Sequence, residues 1–194
     1  RNQHLGNLEM ISVELKSDDL TTDSFNLPYD FYGLFRPRLE DVSWDGAWIG
    51  FNKTSTHAAV QPTAGIKFDH CYDPRVTDCH VWGAHTAIQC YDTSGATEAE
   101  SFRMTDTVMN QVRYGLRFSR STREPWLVLS GNHCNYLERG FEIDGARLCE
   151  INNNLMFNED TTSESTLNPI DIHLVNSQYF DISRNKFHFD GHPL

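Results

Sequence analysis

Five short segments of this chain repeat the order small, apolar, polar, apolar: Gly65–Phe68, Ala87–Cys90, Gly115–Phe118, Gly140–Ile143 and Pro169–Ile172. If they stack in that order, their outward positions form two columns. One holds Lys67, Gln89, Arg117, Glu142 and Asp171; beside it run Asp69, Tyr91, Ser119, Asp144 and His173. Neighbours along one strand face are about 6.6 Å apart and neighbours on adjacent strands about 4.8 Å. Glu142, Asp144, Asp171 and His173 then form a compact square, with Arg117 and Ser119 on the next coil. Three clustered carboxylates repel one another, which raises the pKa of one and leaves another ionised. Cleavage of a glycosidic bond requires such a division of labour, and the expected separations cover both the retaining and the inverting geometry. Glu142, Asp144 and Asp171 are therefore the candidate catalytic residues. Arg117 would hold an acidic sugar, Tyr91 would stack on a ring, and His173 would help to position substrate. The competing reading is a solvated acidic face with an Arg–Glu cross-strand pair.

A second repeat says what positions these side chains. An apolar residue, two spacers, a small or polar residue, one spacer and an apolar residue recur six times: Val42, Asp45, Ala47; Val76, Cys79, Val81; Met104, Thr107, Met109; Leu129, Asn132, Cys134; Ile151, Asn154, Met156; and Ile182, Asn185, Phe187. The middle positions lie 34, 28, 25, 22 and 31 residues apart, and fixed order with elastic spacing means stacked coils joined by loops of variable length. In three coils the small residue of the first repeat follows the middle residue by eight, so the two repeats run in phase. Apolar and polar residues alternate at period two, the mark of strands with one buried face. In-register coils then build a right-handed parallel β-helix of about six turns. Asn132, Asn154 and Asn185 sit at an inward bend, where amides bond along the axis. Asp45, Cys79 and Thr107 occupy that column in the earlier coils. An ordinary β-sandwich gives no reason for two repeats to keep step.

The chain has 194 residues and a net charge of −11, enough length for one domain with a sizeable core. The charge argues against nucleic acid as a partner, and no apolar run approaches a membrane span, so no membrane insertion is expected. Five cysteines form an odd set: Cys71, Cys79, Cys90, Cys134 and Cys149. Cys79, Cys90 and Cys134 fall on repeat positions and read as small buried hydrophobes, which suits assembly in a reducing compartment better than a disulfide framework. His70-Cys71 and Cys79-His80 lack the C-x-x-C spacing of structural zinc, and no metal or other cofactor is expected. Residues 1–38 read as an irregular first coil and cap containing the aromatic run Phe25–Gly33, and 39–194 as the β-helix. Polar loops are expected at 50–64, 92–101 and 159–168, the last holding Thr161–Thr166. Arg1 at the start and only nine residues after Asn185 read as a segment of a longer protein, or as an open end covered by partner chains.

The coil motif with its asparagine column, as in Leu127–Asn132 and Phe180–Asn185, resembles the right-handed parallel β-helix superfamily of pectate lyases, polygalacturonases, uronan epimerases and phage tailspikes. The paired-aspartate and Gly-His-Gly motifs of polygalacturonases have no match. The calcium cluster and catalytic arginine of pectate lyases cannot be placed residue by residue. In character the chain looks most like a bacteriophage tailspike or tail fibre. That resemblance implies a homotrimer attached to other tail proteins, located in the virion tail and assembled in the bacterial cytoplasm. It further implies that the protein binds, and as an enzyme depolymerises, a bacterial surface polysaccharide. A non-catalytic adhesin or spacer is the alternative, and a secreted lyase or epimerase a further one.

Overall fold

The computed structural model describes residues 8–16, 29–46, 64–92, 101–120, 126–158 and 169–189. Sixteen strands follow in order: β1 (Glu9–Lys16), β2 (Tyr29–Tyr32), β3 (Arg38–Asp45), β4 (Ala64–Asp69), β5 (Arg75–Thr77), β6 (His80–Trp82), β7 (Thr86–Tyr91), β8 (Phe102–Thr105), β9 (Val108–Ser119), β10 (Trp126–Ser130), β11 (His133–Asp144), β12 (Leu148–Asn152), β13 (Leu155–Asn158), β14 (Ile170–Val175), β15 (Phe180–Ser183) and β16 (Lys186–Phe189). Every pairing is parallel, and the described residues contain no helix. The pairings resolve into three faces of a right-handed parallel β-helix. The first face stacks β1, β3, β5, β8, β10, β12 and β15; the second stacks β3, β6, β9, β11, β13 and β16; the third stacks β2, β4, β7, β9, β11 and β14. Strands β3, β9 and β11 serve two faces because they bend around a corner.

Inward side chains repeat from coil to coil. Leu39, Val76, Met104, Leu129 and Ile151 form one column, and Ile66, Ile88, Leu116 and Phe141 another, all essentially without exposure. Each such side chain contributes about 1.5–3 kcal/mol by leaving water. Phe31, Phe68, Phe102 and Phe118 continue the core as a chain of rings with centroids 5.4, 6.2 and 6.4 Å apart. In the last described coil, the inward-column residues Phe180, Ile182 and Phe187 are exposed at the end of the stack.

The bend between the first and second faces repeats from coil to coil. Asp41, Asp78, Asp106, Gly131, Asn153 and Arg184 precede the bend residues at positive φ, between 51° and 72°. Short polar side chains and glycine tolerate that left-handed turn, and Arg184 is the exception. The bend residue next along then offers its N–H to a side-chain oxygen one coil further on. Thr107 donates to Asn132 Oδ1 at 3.1 Å, Asn132 to Asn154 Oδ1 at 3.0 Å and Asn154 to Asn185 Oδ1 at 2.9 Å. Each amide Nδ2 also reaches back to a strand carbonyl: Asn132 to Met104, Asn154 to Leu129 and Asn185 to Ile151. Cys79 makes the same backward contact with sulfur, its Sγ lying 3.7 Å from the Leu39 carbonyl.

Two expectations need correction here. The bend column holds Val42, not Asp45, because Glu40 pairs with Thr77 and Ser43 with His80, which sets Val42 opposite Cys79. An apolar residue in a polar column removed the marker. In the segment expected as an irregular first coil and cap, β1 pairs in register with β3, and β2 with β4. Tyr29 is buried and Phe31 packs against the core, whereas Tyr32 is exposed. On the third face the fifth segment is displaced by two residues, as described below. Of the expected loops, 93–100, 159–168 and nearly all of 50–64 lie outside the described residues, as does Ala47.

Asn154 is 1% exposed and joins five hydrogen bonds of the ladder. Asn154→Ala orphans the Asn132 N–H and the Leu129 carbonyl, and each buried group left unmade costs about 1–3 kcal/mol. The variant is expected to lose about 3 kcal/mol in urea unfolding, whereas Asn153→Gly, on the exposed side of the same turn and compatible with its positive φ, loses less than about 1 kcal/mol.

Candidate functional site

The third face carries the candidate residues because its strands present alternate side chains outward at a fixed register. The small residues at its inner corner are required by the backbone: a Cβ on Gly115 would lie 2.5 Å from the Gly140 carbonyl oxygen, and one on Gly140 would lie 2.5 Å from that of Asp171. Asp171 is thus the continuation of the small-residue column. Strand β14 pairs with β11 so that Glu142 faces His173 and Asp144 faces Val175. The observed columns are Lys67, Gln89, Arg117, Glu142, His173 and Asp69, Tyr91, Ser119, Asp144, Val175. Asp171 therefore does not join Glu142 and Asp144, and the expected square does not form. Its Oδ1 instead accepts a 2.6 Å bond from the buried Tyr136 hydroxyl.

Four of the six candidates do converge. Tyr91, Arg117, Glu142 and Asp144 line a groove of about 400 Å³, together with Asp92, Phe118, Ser119 and Val175. Arg117 Nε donates to Glu142 Oε2 at 2.6 Å, and His173 Nδ1 stands 3.9 Å from Glu142 Oε1, so arginine, carboxylate and imidazole form one row along the axis. Asp144 is oriented by Asn176, whose Nδ2 donates to Oδ1 at 3.0 Å. At the groove's end the fully buried Asp92 side chain lies 3.4 Å from His70 Nδ1. Burial pushes the Tyr91 phenol up despite the opposing Arg117 charge. Burial also raises the Asp171 carboxyl, with the Tyr136 bond opposing it. Asp171, the carboxyl that burial raises, thus lies outside the groove lining.

A cluster that the sequence did not disclose flanks this row at the corner where β9 and β11 bend. Arg113 Nε donates to Glu138 Oε2 at 2.6 Å, and the Tyr114 ring lies beneath Arg117, with the guanidinium carbon 4.8 Å from its centroid. His85 packs on the same ring at 5.3 Å. The corner is irregular, with Gln111 at positive φ and register shifts along β11 between Cys134 and Arg139, so period-two reasoning loses track there. Asp92 was equally hidden, since it follows the strand and reads as the start of a loop.

Among the described residues no three His, Cys, Asp or Glu side chains gather as a metal site would require. None of the five cysteines forms a disulfide, and all are buried.

A family model described as "Periplasmic copper-binding protein (NosD)" matches residues 50–191. No curated protein and no solved structure matches the chain. The family match overturns the virion-tail location, since its members are described as periplasmic. It agrees with the β-helix part of the resemblance and lends nothing to the tailspike part.

Burial first, then the charges of Arg113 and Arg117, lower the His85 pKa from 6.5 to about 4, with Glu138 opposing. The folded state therefore takes up this proton less readily than the unfolded chain. Its contribution is intact above pH 6.5 and is lost as pH falls toward 4. An NMR titration of the His85 ring is expected to show a midpoint near 4, and His85→Gln to flatten that part of the stability profile; a midpoint at the ordinary value contradicts the assignment.

Proposed function

The chain belongs to the NosD family, and from that premise we propose that its β-helix is a carbohydrate-binding domain whose third-face groove holds an acidic polysaccharide without cleaving it. The family description names copper. Copper sites draw on thiolates, thioethers and imidazoles placed to meet at one point. Here burial lifts the thiols of Cys79 and Cys90 to about 11 and that of Cys149 to about 12, which disfavours the thiolate a metal needs. Met104, Met109 and Met156 are sealed in the core, and the described imidazoles do not gather. The described residues do not fit copper.

They do fit a sugar chain. The observation that carries this reading is the convergence of Tyr91, Arg117, Glu142 and Asp144 on one groove of the size ligand sites have. Tyr91 supplies an aromatic surface with a polar tip. Arg117, fixed at Nε by Glu142, keeps further donors for a carboxylate. Glu142 and Asp144 accept from sugar hydroxyls. Hydrolysis needs one carboxyl that stays protonated beside one that stays ionised. Glu142 is tied to Arg117, and the carboxyl with the raised pKa, Asp171, is bonded to Tyr136 and absent from the groove lining. These features support binding over cleavage.

Calorimetric titration with polygalacturonate is expected to show binding, with a neutral glucan of similar length bound more weakly. Arg117→Ala and Tyr91→Ala each weaken it by about tenfold or more. Equal binding of the neutral glucan, or new reducing ends or ultraviolet-absorbing products on incubation, would overturn this reading.

A further inference from the structure

Arginines gather on the first face, away from the groove. Arg38, Arg75 and Arg103 stand in register on β3, β5 and β8, one directly above another. Arg36 joins them from the turn that precedes β3. One carboxylate serves three of the four. Asp73, whose side chain is 7% exposed, receives Arg75 Nη2 at 2.9 Å and lies 3.6 Å from Arg36 Nε and 3.8 Å from Arg103 Nε. Ser101 Oγ donates to it as well, at 2.7 Å. Arg38 turns instead to Glu40, at 2.5 Å, and Glu9, at 3.5 Å.

Like charges directly opposed on adjacent strands destabilise a sheet, and here the rungs are only about 4.8 Å apart. In a chain of net charge −11, three guanidiniums around one carboxylate form a local excess of the opposite sign. The Nε atoms of Arg75 and Arg103 are buried without a hydrogen-bond partner among the described residues. The guanidiniums are nevertheless held in place. Arg103 lies over the Trp126 ring at 4.5 Å and Arg36 over Phe35 at 5.1 Å, and the side chains stay 37–55% exposed. Fixed, exposed, under-neutralised guanidinium forks are what a phosphate- or sulfate-type oxyanion requires. We propose that Arg36, Arg75 and Arg103, oriented by Asp73 and Trp126, form an oxyanion-binding site on the first face.

The site makes no use of the groove residues, so its test is separate from that of the carbohydrate reading. Thermal unfolding of the whole chain is followed with inorganic phosphate, with dextran sulfate and with uncharged dextran, each against sodium chloride at equal ionic strength. Phosphate or dextran sulfate is expected to raise the midpoint beyond chloride, and dextran is not. A larger effect of dextran sulfate at equal charge assigns the site to an anionic polymer, and an equal effect assigns it to the free anion; both support the proposal. Arg75→Gln with Arg103→Gln is expected to weaken anion binding at least about tenfold. Val128 faces Arg103 on the neighbouring strand. Val128→Glu therefore places a carboxylate in the arginine column, and is expected to raise the midpoint in chloride while abolishing the phosphate response. No response beyond chloride, or a response kept by the double variant or by Val128→Glu, overturns the proposal.

Discussion

A backbone N–H at a tight inward turn has no strand partner, and in this protein a side chain from the next coil supplies one. Thr107, Asn132 and Asn154 each give their amide hydrogen to the bend residue one coil on. Because each asparagine also returns a bond to the preceding coil, a shift of one coil breaks bonds on both sides of it. The ladder thereby fixes register, and register fixes which side chains become neighbours. Cys79 shows how far the rule can bend: sulfur replaces the amide nitrogen at a longer distance, and its backbone N–H finds Thr107 Oγ1 at 3.5 Å.

Register turns a list of distant residues into surfaces with a definite charge. Glu138 follows Arg113 by 25 positions and Glu142 follows Arg117 by the same interval, one coil length, so both ion pairs arise from one helical step. On the first face register does the reverse. Coils of unequal length still bring Arg38, Arg75 and Arg103 into line and leave Asp73 shared among the arginines around it. One scaffold thus displays paired Arg–Glu charges along one face and an excess of positive charge on another.

The fold could be read from the chain because asparagine at a bend and apolar residues on either side form a pattern with a direction. Where the bend residue was apolar, as at Val42, the direction was lost and the reading slipped to Asp45. The third face was legible in its columns but not in its last member. Alternation at period two is unchanged by a shift of two residues, so the sequence could not tell Asp171 from His173 as the neighbour of Glu142. That Arg117, Glu142 and Tyr91 share one face was legible because regular strands carry them. The Arg113, Glu138, His85 and Tyr114 cluster was not, because it forms where β9 and β11 depart from regular geometry.

The stacking of the bends is tested most directly by hydrogen exchange at the amides of Thr107, Asn132 and Asn154, resolved residue by residue. If the ladder locks the coils together, these hydrogens exchange only when the whole chain unfolds, with the same free energy that denaturant unfolding gives. Exchange at a much smaller free energy, typical of a locally opening turn, would contradict the account.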